Sequence, residues 1–554
     1  MERSIGLGLA AAVALGAAAV AAGTGPIDPG QMSATVKVLA SDAFQGRAPG
    51  TPGEAKTVDY LIQRFKALGL QPGGENGAWT QAVPLVRTQV QGPATFIFRD
   101  GKGAINMRQG EEISIATVRP VGHIRIKDAP LVFVGYGVHA PERGWDDYKG
   151  VDLRGKIAVF LVNDPDFEAK PGEPVAGKFG GKAMTYYGRW TYKYEEAARR
   201  GAVGALIVHD APGAGYGWST VVAPGGEAYD VVRGAGSVQP VQLQGWIRGD
   251  AAHDLFRRAG LDLDTLRVKA RQASFHPVSL GDLRFDADAL VSFTRVQSHN
   301  VLAKLPGTSH PDETVMFAAH WDAYGVGKPD ATGDRIHRGA NDDGLGIAGV
   351  LEIARAFTHA PRPQRTVVFA AWTAEERGLL GSETYASRPI YPLARTAGNF
   401  TMDILETAGL SHDVVLIGAG QDSLEGDLVR AAARQGRKVT PDSHPERGLF
   451  YRADHFSVAK RGVPTALLMA IGGGPDLVVG GRAAGDKWVS DYTAKCYHQP
   501  CDAWSASWDL RGAAQDVDLV YDAGSALANS REWPTWNAGS EFKAIRDQTA
   551  DQRR

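Results

Sequence analysis

From about residue 298 onward, short apolar runs alternate with amphipathic stretches, and this alternation most narrows what the chain can fold into. Thr314–Ala319, Thr366–Trp372, Phe400–Ile404 and Pro464–Ala470 read as strands. Gly344–Phe357 reads as a helix, with Ile347, Val350, Leu351, Ala354 and Phe357 along one side. Such a pattern predicts an α/β domain: a mostly parallel central sheet with flanking helices. Ligands of these sheets bind beyond the carboxyl ends of the strands, so the residues just after each strand are where chemistry is sought.

Five stretches place acids and histidines at those points. They are Ala318-Ala319-His320-Trp321-Asp322, Gly339-Ala340-Asn341-Asp342-Asp343-Gly344, Thr373-Ala374-Glu375-Glu376-Arg377-Gly378, Thr401-Met402-Asp403, and Cys496-Tyr497-His498-Gln499-Pro500-Cys501-Asp502. Alone, each has an ordinary explanation: a surface histidine, or acids opening a helix against its dipole. Together, two histidines and three carboxylates after strands of one domain fit a divalent-metal site with mixed nitrogen and oxygen ligands. A carboxylate can bridge two ions roughly 3.5–4 Å apart, the arrangement used for hydrolysis. Glu375, beside Glu376, is the natural base, because successive residues point in different directions.

Upstream, Thr51–Leu70 reads as a helix, with Ala55, Val58, Leu61, Ile62, Phe65 and Leu68 at helical spacing and Gly69 at its end. From about 120 to 285 the texture becomes that of a separate, mainly β module, with strands at Leu131–Gly137, Lys156–Val162 and Ala205–Val208 and a short helix at Tyr194–Arg200. Its aromatic run Tyr186–Tyr194 reads as packing against the catalytic domain, with a wall of the substrate cleft as the alternative. At the N-terminus, Arg3, the apolar stretch Ile5–Val20 and the small residues Ala17–Ala22 have the form of a secretory signal peptide. No later stretch reaches the roughly 18 apolar residues of a membrane span, so the mature chain is expected to be exported and soluble, in a periplasm or outside the cell. With 60 basic and 62 acidic residues, the net charge of -2 argues against a nucleic-acid binder. Two cysteines exclude a disulfide framework or an all-thiolate zinc site.

As an ordered set, these motifs resemble the M28 family of zinc aminopeptidases, in the form with an inserted protease-associated domain. The resemblance runs from the turn Gly46-Arg47-Ala48-Pro49-Gly50 through the insert to all five metal stretches. With the leader read at 1–23 and the polar tail at 541–554 set aside, it implies catalytic segments at 30–120 and 286–540 and the insert at 121–285. It implies two divalent ions, zinc foremost: His320 and Asp403 on one, Glu376 and His498 on the other, and Asp342 bridging. It implies Glu375 as general base and then acid, Asp322 fixing the imidazole of His320, and a cis peptide between Asp342 and Asp343. The substrates implied are peptides with a free N-terminus, attacked by a metal-bridging water.

A residue near Tyr451 is a candidate to steady the oxyanion. In Phe450-Tyr451-Arg452-Ala453-Asp454-His455-Phe456, Ala453 stands where the family pattern has serine, and His455 reads as structural. Cys496 and Cys501 flank His498, and an oxidising compartment permits a short-loop disulfide there. The alternatives are two free thiols or thiolate ligation. Other readings of the whole are a carboxypeptidase or dipeptidase of the same fold, a glutaminyl cyclase, or an inactive binding scaffold. Oligomeric state is not legible.

Overall fold

The computed structural model describes residues 26–553 apart from Ala235, so the signal segment read at 1–23 lies outside the described residues. Arg365–Trp372, His310–His320, Thr396–Met402 and Thr465–Leu468 run parallel, in that order, at the centre of the larger sheet. Val278–Leu305, Thr80–Val90 and Glu227–Val231 extend one side in antiparallel pairing. On the other side Asp413–Ile417 pairs antiparallel with Thr465–Leu468, and Lys438–Pro441 closes the edge. The sheet is parallel where the site sits, and antiparallel pairing joins this centre to the strands on either side.

The central strands are apolar on both faces because helices cover both. Val315, Phe317 and Ala319 face a core shared with helices Pro29–Leu39, Pro52–Ala67, Gly346–His359 and Arg511–Ala528. Met316 and Ala318, one residue out of phase, join Tyr385 and Val458 of the helices Leu380–Ser387 and His455–Ala459 on the other face. Phe317 stacks between Phe369 and Phe400 on the neighbouring strands, at 6.1 and 5.5 Å between ring centroids. Gly524 lets the helix Arg511–Ala528 approach this stack, since a Cβ there would lie 2.2 Å from the Phe317 ring. In helix Pro52–Ala67 the buried line runs through Gly53, Thr57, Leu61 and Phe65, and Ala55 faces solvent.

A second sheet lies within residues 95–290. Its centre is His123–Phe133, Ile157–Leu161, Gly204–Val208 and Leu243–Ile247, parallel in that order. Helices Trp190–Arg199, Gly249–Arg258 and Leu263–Ala270 make this lobe richer in helix than its sequence texture suggests. It also begins before the expected 121: the hairpin Thr95–Asp100/Gly103–Met107 and the strand Ile113–Ala116 pair within it. The cause is the 28-residue strand Val278–Leu305, whose first half belongs to this sheet and whose second half belongs to the larger one. No composition break marks that crossing. Glu227–Val231 pairs back onto Thr80–Val90, so the two lobes interlock.

Residues 541–553 are not a free polar tail. The Phe542 ring is buried among Phe450, Phe456 and Trp536, and buried Arg546 donates to the Thr396 carbonyl at 3.1 Å. Among the described residues no helix is long and apolar enough to cross a membrane. Phe542→Ala is expected to cost about 3–5 kcal/mol, the usual range for emptying a buried phenyl site. Urea unfolding measures it, and a loss under about 0.5 kcal/mol would show that the segment does not dock.

Candidate metal centre

The parallel strands end side by side, and each delivers its polar residues as its ladder stops. His320 closes its strand, Glu375 and Glu376 follow Trp372, and Asp403 follows Met402. Asp342 comes from the loop ahead of helix Gly346–His359, and His498 from the loop after helix Gly481–Lys495. Three residues beside these groups, Ala374, Ile404 and His498, hold φ near 52–60°, a region non-glycine residues seldom adopt. Such backbone is kept where the surrounding structure over-determines it, as at functional sites. The Asp342–Asp343 peptide is cis.

Asp342 lies between the two imidazoles. Its Oδ1 is 3.2 Å from His320 Nε2 and its Oδ2 is 3.2 Å from His498 Nε2. Glu376 Oε2 is also 3.2 Å from His498 Nε2, while Asp403 Oδ1 and Glu375 Oε2 are each 3.9 Å from His320 Nε2. Donor atoms therefore fall into two groups able to hold an ion: Asp342, Glu376 and His498, and His320 with Asp403 and Asp343. Asp343 is already committed, since its oxygens accept the backbone N–H groups of His320 and Gly346 at 3.2 and 2.9 Å. That leaves Asp342 as the carboxylate facing both imidazoles.

Other contacts aim these groups. His320 Nδ1 is 3.1 Å from the Asp322 backbone carbonyl, which fixes Nδ1 as a donor and turns Nε2 toward Asp342. The tautomer is thus set by the main chain of Asp322. Its carboxylate Oδ1 accepts the Glu375 N–H at 3.0 Å. Sequence reading passed over Asp502, which accepts the backbone N–H groups of Asn341 and Asp342, both at 3.0 Å. It also passed over Arg47, whose fully buried guanidinium donates to the carbonyls of Trp321, Leu39, Arg338 and Gly339. Both residues lay within quoted stretches, but their roles come from partners far along the chain.

Electrostatics mark the cluster as one that wants a cation. Burial pushes Glu375 and Glu376 well above the usual carboxylate range. Burial, reinforced by the charge of Asp342, pushes Asp403 up to about 8. Burial acts on Asp342 in the same direction, but the imidazoles of His320 and His498 overcome it and hold that carboxyl low. Among the described residues, His320 Nε2, Asp342 Oδ2 and Asp403 Oδ1 are buried without a hydrogen-bond partner. Buried polar atoms are normally paired, so these three fit ligation to a divalent ion with nitrogen and oxygen donors.

The oxyanion candidate Tyr451 and the structurally read His455 both have other neighbours. Tyr451 gives its hydroxyl to Glu541 at 2.8 Å, so it is not free to steady an oxyanion. His455 is buried against the Phe450 ring at 4.7 Å, and burial lowers it to about 3. Cys496 and Cys501 are joined by a disulfide that closes the loop carrying His498. Above the site, the two lobes enclose a cleft of about 2630 Å³ whose walls include Tyr186 and Trp190. Tyr186 of the insert also packs on Phe456 of the catalytic lobe, at 5.2 Å between rings.

Histidines and carboxylates thus gather at the carboxyl ends of parallel strands in two groups that could each hold a divalent ion. Residues 300–521 match the sequence model of Peptidase family M28. Aminopeptidase Y of Saccharomyces cerevisiae is 30% identical over 241 residues, 41% of this chain and 38% of that protein. A probable zinc metalloprotease of Pyrenophora teres f. teres is 41% identical over 86 residues, 16% of this chain and 18% of that protein. This chain thus spans well under half the length of these relatives. Among solved structures, an aminopeptidase from Aneurinibacillus sp. strain AM-1 aligns over 91% of this chain and 93% of its own, at 21% identity and a TM-score of 0.48.

Two outcomes follow from the geometry. Asp502→Asn puts an NH2 where a backbone N–H seeks an acceptor, so zinc affinity should fall about 10- to 100-fold; competition with a chromogenic chelator measures it, and unchanged affinity would contradict the positioning role. His455 is neutral in the fold, with its pKa depressed from the ordinary 6.5 to about 3. The unfolded chain therefore binds the extra proton across that window, and stability falls as pH drops from 6.5 toward 3. His455→Leu should flatten that part of the stability–pH curve, and an unaltered slope would rule out the buried neutral imidazole.

Proposed function

We propose that the chain is an exported dinuclear-zinc aminopeptidase that hydrolyses the N-terminal residue from peptides. The placement of Asp342 between His320 and His498, with Glu375 Oε2 3.9 Å from His320 Nε2, carries this reading. His320 and Asp403 would hold one ion, Glu376 and His498 the other, and Asp342 both. Bound divalent ions supply Lewis acidity to the scissile carbonyl and make a water acidic near neutral pH.

Glu375 is the group left over for proton transfer. Its backbone N–H is tied to Asp322, which fixes where the side chain starts. Its burial raises its affinity for a proton, so it can take one from the attacking water and return it to the leaving amine. The surrounding carboxylates favour a substrate that arrives with a cationic α-amine. The insert, which we read as protease-associated, walls the cleft with Tyr186 and Trp190 and limits what reaches the site. The leader read at 1–23 and the bond between Cys496 and Cys501 support an oxidising, exported location.

Glu375→Gln should lower kcat on aminoacyl p-nitroanilides by about 10²–10⁴-fold or more, with metal content and folding retained. Steady-state kinetics beside metal analysis measure this. Near-normal turnover would overturn the proton-transfer role, and cleavage of N-blocked peptides alone would overturn the aminopeptidase reading.

A further inference from the structure

The two imidazoles of the site are held from behind in different ways. His320 gives its Nδ1 to a main-chain carbonyl, that of Asp322. His498 Nδ1 meets a side chain instead, the Tyr324 hydroxyl at 3.2 Å. On the other edge of the ring, His498 Nε2 faces Asp342 Oδ2 and Glu376 Oε2, each at 3.2 Å. A neutral imidazole has one donor nitrogen and one acceptor. For Nε2 to offer its lone pair to an ion, the ring proton has to sit on Nδ1, and that N–H then requires an acceptor. The phenol oxygen of Tyr324 is in place to be that acceptor.

Tyr324 is itself held. Its ring centroid is 4.7 Å from that of His498, and the Tyr497 ring is 3.7 Å from the same imidazole. Arg377 places its guanidinium 4.8 Å over the Tyr324 ring and donates to the Tyr324 carbonyl at 3.4 Å. The same guanidinium lies 5.1 Å over the Tyr229 ring and 3.7 Å from the Glu227 carboxylate, both in the strand Glu227–Val231 that returns from the insert. The insert thus braces Tyr324 through Arg377. The main chain of His498 has a separate holder, His337, whose Nδ1 is 3.0 Å from the His498 carbonyl. Tyr324 follows His320 by four residues and Asp322 by two. One loop, leaving the strand His310–His320, therefore holds both imidazoles, one by its main chain and the other by a phenol.

We propose that Tyr324 is a positioning residue: its phenol oxygen accepts the Nδ1 proton of His498 and so fixes the tautomer and ring plane with which His498, Asp342 and Glu376 hold one ion. This rests on the dinuclear reading above. Tyr324 acts through His498, and by way of Arg377 it gives the insert a part in supporting a metal ligand.

Tyr324→Phe removes only the oxygen and keeps the ring that packs on His498 and Arg377. In competition with a chromogenic chelator, the wild type should release two zinc ions, and the variant should hold one of them about 10- to 100-fold more weakly with the other unchanged. Cobalt-loaded protein gives a second readout, because the N–H protons of ligating imidazoles appear as shifted, exchangeable proton NMR signals. The wild type should show one from each histidine. Tyr324→Phe should lose the His498 signal to solvent exchange and keep that of His320, which is bonded to a main-chain carbonyl. Thermal unfolding of the metal-stripped variant should match that of the stripped wild type. Unchanged zinc affinity, or retention of both signals, would overturn the role. Equal weakening of both ions with a lower melting temperature would overturn it too, since that marks a residue that only supports the fold. In each of those cases the wild type still binds two ions and the dinuclear reading stands. A wild type that binds fewer than two would overturn that reading and this role with it.

Discussion

Everything around the site follows from crowding buried carboxylates at the ends of parallel strands. Asp342, Asp343, Glu375, Glu376 and Asp403 cluster with the imidazoles of His320 and His498. In low dielectric such groups repel one another, and most are driven toward their protonated forms. The fold answers by surrounding the ligand loops with fixed donors and acceptors. Arg47 binds four carbonyls beneath the site, Asp502 holds the loop of Asp342, and Asp322 orients His320 and Glu375 together. Asp342 is the exception that stays charged, because both imidazoles face it.

The architecture places this crowded floor under a roof from another lobe. One strand, Val278–Leu305, is shared by both sheets, and Glu227–Val231 returns from the insert to the edge of the catalytic sheet. Two strand-mediated links and the contact of Tyr186 with Phe456 set the cleft walls against the site. The aromatic run that reads from sequence as packing thus packs and also lines the cleft. Residues of both lobes therefore line one cleft.

What was legible in the sequence was whatever is written locally. Strand-then-acid motifs are short, so His320, Glu375, Glu376 and Asp403 stand out where an apolar run stops, and the central parallel strands were found within a few residues of their ends. What was not legible depends on distant partners. Tyr451 looks available until Glu541, 90 residues away, takes its hydroxyl. Arg47 looks like part of a turn until its carbonyl acceptors, mostly nearly 300 residues on, are in place. The polar look of 541–554 hid Phe542 and Arg546, which are buried singly. The start of the insert was missed because Thr95–Met107 is bounded by no composition change, and only strand pairing assigns it.

The central claim is that one carboxylate, Asp342, serves two ions at once. Calorimetric zinc titration of the stripped protein tests it most directly. Two ions per chain are expected for the wild type, and Asp342→Asn should weaken both sites together, whereas Glu376→Gln should weaken chiefly one. A single ion in the wild type, or an Asp342→Asn protein that still binds one ion at full affinity, would contradict the account.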